Sequence, residues 1–409
     1  MKKINLIILP ICITSVLNAA GYKIPEQSAD SIALAGSNYA YSFGSDAAYY
    51  NPANMMFMYD IWHSLETSIS YFYLGKTSFE NKSSVPGTYS TKSQNYNIFV
   101  PQLYFISPEY IPNVRFGLST AVPAGVQMLW DDPYPAATSK KFDLKILEVN
   151  PSIAYRLSDQ ISLGLGLRAL YSDGTVENGI TNFNRKLQGD SIDYGYNLGM
   201  TYKPIEDLSL SVTYRSKVDL TIKGDGDFKF GNATMDTPAK ITLPLPANLV
   251  LAIAYNYNAF TYMFAYERTY WSDFKELDFD YDKKMPNAIA KKVFDDPAQR
   301  NWDNSSTYRF GIAFDATTKL RLMAGFAIDE NPAHSDKMNF ELPNSKSYIY
   351  STGLNYKFSP KFEVALAYLY MQRTNQEVNS YTGNYIGTAQ GTINNADAQI
   401  ANLTFRYNF

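Results

Sequence analysis

The side chains best placed to do chemistry in this sequence are cations. Arg168, Arg215, Lys217 and Arg321 fall at alternate positions, opposite apolar rows such as Leu163, Leu165 and Leu167. An arginine grips a carboxylate through two parallel N–H···O bonds, so these positions suit an acidic head group. The same cations also suit internal ion pairs with Glu267, Glu363 or Asp219. Catalysis has little to draw on. The two histidines, His63 and His334, stand apart from any serine and acid pattern that would make a nucleophile and its base. The single cysteine is Cys12, and no Cys or His cluster has metal-ligand spacing. No metal, no cofactor and no enzymatic activity are expected. With 36 Lys+Arg against 39 Asp+Glu, the chain lacks the basic face that nucleic acid requires.

The elements that must position these residues start from an export signal. Met1-Lys2-Lys3 precedes an apolar run from Ile4 to Leu17, and small residues follow at Ala19-Ala20. That is the layout of a secretory signal peptide, with cleavage expected after Ala19. The run is short for a membrane anchor. Three segments result: a signal peptide at 1–19, an N-terminal segment at 20–60, and the remainder at 61–409.

In the remainder, period two dominates. Ile161, Leu163, Leu165, Leu167, Ala169 and Tyr171 alternate with Ser162, Gly164, Gly166 and Arg168; Leu208, Leu210, Val212 and Tyr214 alternate with Ser209, Ser211, Thr213 and Arg215. Such alternation marks strands with one apolar face. The chain is rich in aromatics, with 34 Tyr and 24 Phe, and many fall near strand ends. A soluble sandwich also alternates, but the connections here come in two kinds that take turns. Short turns near 108–112, 158–160, 204–207, 257–259, 316–318 and 358–360 alternate with long polar loops at 75–92, 130–140, 175–188, 224–238, 280–301, 331–345 and 376–395. This predicts an all-β chain: an antiparallel transmembrane β-barrel of about fourteen strands, with short periplasmic turns and long outer loops. The expected spans are 61–74, 93–107, 113–129, 141–157, 161–174, 189–203, 208–223, 239–256, 260–279, 302–315, 319–330, 346–357, 361–375 and 396–409. The last strand ends Leu403, Phe405, Tyr407, Phe409. A terminal aromatic on an alternating strand suits an edge that assembly machinery must pair and close. Outer-membrane lipids and that machinery are the expected partners, and a monomer is the expected state.

Residues 20–60 do not read as a spanning strand. Gly21, Gly36 and Gly44 interrupt them, Ser28 to Ala40 suits short helices, and Asn51-Pro52-Ala53-Asn54 suits a turn or cap. The segment either hangs in the periplasm or folds into the lumen, which fourteen strands make wide enough for it.

Taken together, these residues resemble the FadL/TodX family of outer-membrane transporters for hydrophobic compounds. The resemblance rests on Ala20-Gly21-Tyr22-Lys23-Ile24-Pro25-Glu26-Gln27-Ser28, Ala35-Gly36, Asp46-Ala47 and Asn51-Pro52-Ala53, in that order. It continues through Phe116-Gly117-Leu118-Ser119, Pro123-Ala124-Gly125, Asn150-Pro151-Ser152, Tyr214-Arg215-Ser216-Lys217 and Trp271-Ser272. It implies a fourteen-stranded barrel whose N-terminal hatch, carrying Asn51, Pro52 and Ala53, plugs the lumen. It also implies a cargo of long-chain fatty acids, or of aromatic or aliphatic hydrocarbons. The implied route is an outer groove, a pocket above the hatch, and a lateral opening at a kink in the third strand. Asn54 departs from the glycine common after Asn-Pro-Ala.

Physical chemistry places the kink at Pro123, Ala124 and Gly125, because proline cannot donate to a ladder and glycine tolerates unusual angles. Groove lining is expected from Val126, Met128, Leu129, Trp130 and Tyr134, and from Ala288, Ile289, Ala290, Val293 and Phe294. Trp130 equally suits an interfacial girdle, and Ala288-Ile289-Ala290 the buried face of a loop helix. Two other functions stay open: a general aqueous porin, and a structural or adhesive barrel. The N-terminal segment separates them, since a filled lumen excludes a free aqueous pore.

Overall fold

A computed structural model describes residues 21–58, 63–381 and 388–409; the expected signal peptide lies outside them. The fold is a closed antiparallel barrel of fourteen strands. They are β1 (Ser64–Leu74), β2 (Tyr96–Ile106), β3 (Val114–Leu129), β4 (Lys141–Arg156), β5 (Ile161–Ile180), β6 (Phe183–Ile205), β7 (Leu208–Arg215 with Val218–Phe230), β8 (Ala233–Leu245 with Asn248–Tyr257), β9 (Phe260–Thr269), β10 (Ser305–Asp315), β11 (Leu320–Asp329), β12 (Ser347–Lys357), β13 (Phe362–Arg373) and β14 (Ala398–Asn408). Each strand pairs with its chain neighbours, and β1 pairs with β14 from Ser64↔Asn408 to Leu74↔Ala398. Closure follows from the solvent. Hydrocarbon cannot hydrogen-bond a free N–H or C=O, and each one left there costs several kcal/mol.

The outer face carries the apolar rows. Leu163, Leu165, Leu167, Leu198, Met200, Leu251, Ile253, Leu366 and Phe405 are all exposed. Tyr155, Tyr202, Tyr257, Tyr356 and Tyr407 mark the turn end of this band, and Tyr171, Tyr194, Tyr350 and Tyr368 the loop end. These are the two girdles of a membrane barrel. Between the exposed residues sit buried polar ones, Ser162, Arg168, Asn197, Thr201 and Thr213 among them. Among the described residues no helix is long and apolar enough to cross a membrane.

Two of the expected outer loops are not loops. The stretches 175–188 and 224–238 continue the β5–β6 and β7–β8 hairpins as ladder, which run to Ile180↔Phe183 and Phe230↔Ala233. Lys223↔Asp190 to Phe230↔Phe183 join the two hairpins side by side. Beyond the membrane the outward face meets water and turns polar, while inward residues such as Asn178, Arg185, Leu187 and Phe228 stay buried, so the apolar alternation fades while the hydrogen bonds continue. Strand β9 is shorter than expected, ending at Thr269 before a 3-10 turn at Trp271–Asp273. The outer loops hold one helix at Pro133–Ser139 and, in the fifth loop, another at Ala288–Phe294. Two further loops pair as a small outer sheet, Ser78–Asn81 and Thr91–Lys92 with Asn375–Tyr381 and Thr388–Asn394.

Residues 21–58 fold as short helices at Ala29–Ala33 and Ala47–Tyr50 and a 3-10 turn at Pro52–Phe57. Ser28 caps the first through Ser31 N–H, and Asn51 caps the turn through Ala53 N–H. The first helix contacts β11, β12, β13 and β14, while the 3-10 turn contacts β3, β4, β5 and β6. A segment that touches opposite walls occupies the lumen. Inward glycines make room for it: a Cβ on Gly325 would stand 2.4 Å from Leu34 C, and one on Gly164 2.5 Å from Ala53 N.

The closing strand is latched at its last residue. Phe409 N–H donates to His63 O at 2.9 Å, His63 N–H donates to Phe409 O at 3.1 Å, and the two rings stack with centroids 5.0 Å apart. Phe409→Ala is expected to lower the amount of assembled barrel in the membrane. Heat-modifiability on gels measures it, and unchanged levels would show that the ring is dispensable.

Candidate functional site

The wall has a break where β2 should meet β3. The two strands pair only from Leu103↔Thr120 to Ile106↔Gly117. Above that, the next backbone contact is Gln94 N–H to Leu129 O at 2.9 Å. On its other edge β3 pairs with β4, with a register shift between Ala121 and Ala124. Val122 and Pro123 therefore form a bulge, and Ala124 and Gly125 resume the pairing with Ile146 and Lys145. The free edge of β3 is taken by the N-terminal segment. Ile24 N–H donates to Pro123 O at 2.8 Å, Gly125 N–H donates to Tyr22 O at 2.9 Å, and Lys23 pairs with Ala124. Gln27 completes the patch, donating to Val122 O at 2.9 Å and accepting from Val122 N–H at 3.0 Å.

Three cavities lie between the outer loops and this break. An outer cleft of ≈ 440 Å³ opens between loops, lined by Arg185, Val293, Phe294, Arg300, Met338 and Phe279. Phe279 also lines a narrow cavity of ≈ 40 Å³ with Phe142, Leu144, Val176, Ile222 and Leu243. Two residues along β8, Leu245 lines a third of ≈ 30 Å³, with Ile24, Tyr39, Tyr49, Tyr50, Pro123, Arg168 and Arg215. Apolar packing surrounds them: Trp130, Trp271, Phe274, Trp302 and Phe340 belong to one buried cluster with Tyr22, Ala124, Val126 and Met128. Burying a methylene there stabilises it by about 0.8 kcal/mol.

Most of the cations named from the sequence face inward, and each has a carboxylate. Arg168 Nε lies 2.9 Å from Glu148, and Arg215 pairs with the same carboxylate. Arg215 also donates to Tyr49 O at 3.1 Å, with its guanidinium 4.4 Å from the Tyr49 ring centre. Arg321 sits at the periplasmic end, 2.7 Å from Asp315 and 3.9 Å over Phe43, far from these cavities. Lys217 points outward, 3.1 Å from Asp219 and 3.8 Å from Asp273. Its expected inward phase is wrong because β7 breaks at 216–217, and the break shifts the alternation: Val218 and Leu220 are buried instead.

Among the groove residues, Met128, Tyr134, Ala290 and Phe294 are buried together. Trp130 is no girdle residue, since its indole N–H donates to Phe340 O at 2.9 Å inside the barrel. Leu129 is half-buried and contributes its carbonyl to Gln94. Ile289 is 62% exposed, on the free face of the loop helix. Asn51 Nδ2 donates to Thr201 Oγ1 at 2.8 Å and Tyr39 O at 2.9 Å. Asn54 binds Ser42 Oγ at 2.9 Å and accepts from Thr201 Oγ1 at 2.6 Å. Asparagine thus replaces the glycine usual there by tying the turn to β6.

Two arginines that sequence reasoning passed over hold the segment to the wall. Arg309 contacts Glu26 at 2.7 Å, Glu267 at 3.1 Å and Ala35 O at 2.9 Å, and Lys23 shares Glu267 at 2.5 Å. Arg406 contacts Asp30 and Glu66 at 3.0 Å each, and Glu363. Arg309 lies between the exposed Tyr308 and Phe310, so the parity that singled out Arg168 would have found it. Asp46 accepts from Ser28 Oγ at 2.5 Å and Asn38 Nδ2 at 3.1 Å. Burial, with Glu66 and Asp30 close by, pushes its carboxyl well above the usual carboxylate range. Among the described residues no group of His, Cys, Asp and Glu is arranged to hold a metal.

The comparison with known proteins is decisive on ancestry. The profile of the outer membrane protein transport protein family (OMPP1/FadL/TodX) matches residues 10–409. The chain belongs to this family. It is an outer-membrane protein of a family of transporters for hydrophobic compounds. Outer membrane protein P1 of Haemophilus influenzae is 26% identical over 378 residues, covering 79% of this chain and 78% of its own length. The long-chain fatty acid transport protein of Escherichia coli O6:H1 is 26% identical over 332 residues, covering 67% and 70%. Among solved structures, a Pseudomonas aeruginosa FadL homologue superposes with a TM-score of 0.83 at 18% identity, covering 95% of this chain and all of that one. The Pseudomonas putida toluene transporter TodX gives 0.71 at 18% identity, covering 96% and 99%. Both share the fold.

Truncating Arg309 leaves Glu26 and Glu267 buried with only Lys23 to balance them. Arg309→Ala is expected to destabilise the barrel by about 3–5 kcal/mol, whereas Arg321→Ala, whose partner Asp315 is half exposed to solvent, changes stability by less than about 1 kcal/mol. Urea unfolding in detergent micelles followed by tryptophan fluorescence separates the two.

Proposed function

We propose that this family member carries hydrophobic acids, long-chain fatty acids first among them, from the outer groove to the cavity beside Pro123 and out sideways between β2 and β3. The carrying observation is that the third cavity lies at the one stretch of β3 whose edge is paired by the N-terminal segment instead of by β2. Residues 21–58 act as the hatch in this reading. Apolar solute gains burial free energy at every step inward, so it needs a release step. Withdrawal of Tyr22–Gln27 from β3 supplies one, and an apolar cargo leaving sideways never meets the aqueous end of the barrel. The occupied lumen argues against a general porin, and the apolar cavity among Phe142, Leu144, Ile222 and Leu243 argues against a purely structural or adhesive barrel.

The acid preference rests on charge. Arg168 and Arg215 share Glu148 beside the third cavity, so two cations face one wall anion and a ligand carboxylate restores the balance. The aromatic lining around Trp271, Phe274 and Trp302 supports the second reading, an aromatic or aliphatic hydrocarbon. The two separate at Arg215. Arg215→Ala is expected to weaken oleate binding by about tenfold, the worth of one charge-assisted hydrogen bond, and to leave hexadecane binding unchanged. Equal losses would reduce Arg215 to a structural role.

The route is tested by locking the patch. Lys23 and Ala124 form a pair of the closer, non-hydrogen-bonded kind, whose Cα atoms lie about 4.5 Å apart, within disulfide reach. With Lys23→Cys and Ala124→Cys oxidised, uptake of radiolabelled oleate by cells should stop, and a reductant should restore it. Uptake at the wild-type rate with the bond fully formed would sink the lateral route.

A further inference from the structure

The wall has a second seam, between β6 and β7. Below it the strands pair from Ile205↔Leu208 to Asn197↔Arg215, and above it from Asp190↔Lys223 outward. Between those limits β6 and β7 form no ladder. Across the same stretch β6 stays fully paired to β5, from Asp173↔Asp190 to Gly166↔Asn197. The seam therefore belongs to one edge of β6 and is not a general fraying.

Side chains patch it. Tyr196 N–H donates to Ser216 Oγ at 2.9 Å, and Thr221 N–H donates to Asp193 Oδ2 at 3.2 Å. Ser216 N–H to Tyr196 O at 2.9 Å is the last backbone bond of the lower ladder. Arg168 Nη1, donating to Ser216 O at 2.8 Å, ties the seam to the Glu148 pair. The seam lies at the loop end of the exposed apolar row of β6, where Tyr194 and Ile192 are 75% and 61% exposed. Next along the row, Asp190 is polar and exposed. Behind it sit Leu170, Val218 and Leu220, members of the apolar cluster around the cavities. Leu187, Gly189, Ile222 and Gly224 line the middle cavity just above, and Arg168 and Arg215 line the third just below.

We infer that the β6–β7 seam is a second lateral port, through which apolar acids dissolved in the outer part of the membrane enter the same interior that the outer groove feeds. Parting a full ladder would expose a row of backbone groups to hydrocarbon. Parting this seam releases only a few bonds, and the freed N–H donors of Tyr196 and Thr221 find a new partner in the entering carboxylate. A carboxylate that draws Arg168 away removes the donor to Ser216 O and loosens the seam further. The port rests on the reading that apolar acids occupy the interior.

The test uses the full-length protein in phospholipid vesicles and a palmitic acid carrying a diazirine at its far end. A Cβ on Gly195 would stand 2.7 Å from Val218 Cγ2, so Gly195→Cys with Val218→Cys sets two sulfurs within bonding reach. Probe dissolved in the bilayer and illuminated should label Leu170 and Leu220 in the wild type and in the reduced double variant. Oxidation should abolish that labelling, while the oxidised Lys23→Cys/Ala124→Cys protein keeps it. Asp193→Ala, which removes one patch, should raise it several-fold. Labelling that persists with the 195–218 bond fully formed overturns the port. So does labelling obtained only when the probe is offered from water to the protein in amphipol, and that result leaves the proposed cargo standing. No labelling by either route overturns the cargo reading itself.

Discussion

Every feature of this molecule answers to one constraint: a backbone N–H or C=O facing hydrocarbon must find a partner inside the protein. The barrel closes, β1 on β14, because an open edge would leave a row of such groups in lipid. Where the ladder fails, something else takes its place. At β3 it is a second stretch of backbone, Tyr22 to Ile24, with the Gln27 amide beside it. At β6 it is the Ser216 hydroxyl and the Asp193 carboxylate. A wall that leaks polar groups is forbidden, but a wall mended with side chains and a borrowed stretch of backbone is permitted.

The interior answers to a companion constraint. Buried charges need opposite charges, and here the pairs are shared between the wall and the N-terminal segment. Arg309 on β10 holds Glu26, and Arg406 on β14 holds Asp30. Such pairs add less net stability than their Coulomb energy suggests, because desolvation offsets it. Their effect is to fix one register of the segment against the wall. The inward glycines do the same by shape, since a Cβ at Gly325 or Gly164 would meet the backbone of the segment.

The barrel was legible because lipid imposes one chemistry on one face of each strand; Leu163, Leu165 and Leu167 against Ser162, Gly164 and Gly166 need no further context. The same reasoning fails where lipid stops. Residues 175–188 and 224–238 read as loops because the outward face of those hairpins meets water and is polar, and polar residues such as Asn178, Arg185 and Thr237 also stand on the buried face. It fails again at 216–217, where a two-residue break shifts the phase and sends Lys217 outward. Proline and glycine alone suggested a break at Pro123-Ala124-Gly125, and the register shift in β3 falls between Ala121 and Ala124. What fills the free edge there was not legible, because nothing local connects Tyr22 to Gly125. Arg309 and Arg406 carried a usable signal, a cation between exposed aromatics, but their partners lie some three hundred residues away.

The charge cluster at Arg406 also sets an order of events. Asp30 comes from the N-terminal segment, Glu66 from the first strand, Glu363 from the thirteenth, and their shared cation from the fourteenth. Until the final strand docks, three carboxylates face a common space with no guanidinium among them. The last hydrogen-bonded seam and the last neutralising charge therefore arrive in one step, and the ion pair that ties Asp30 to the wall forms only as the barrel closes.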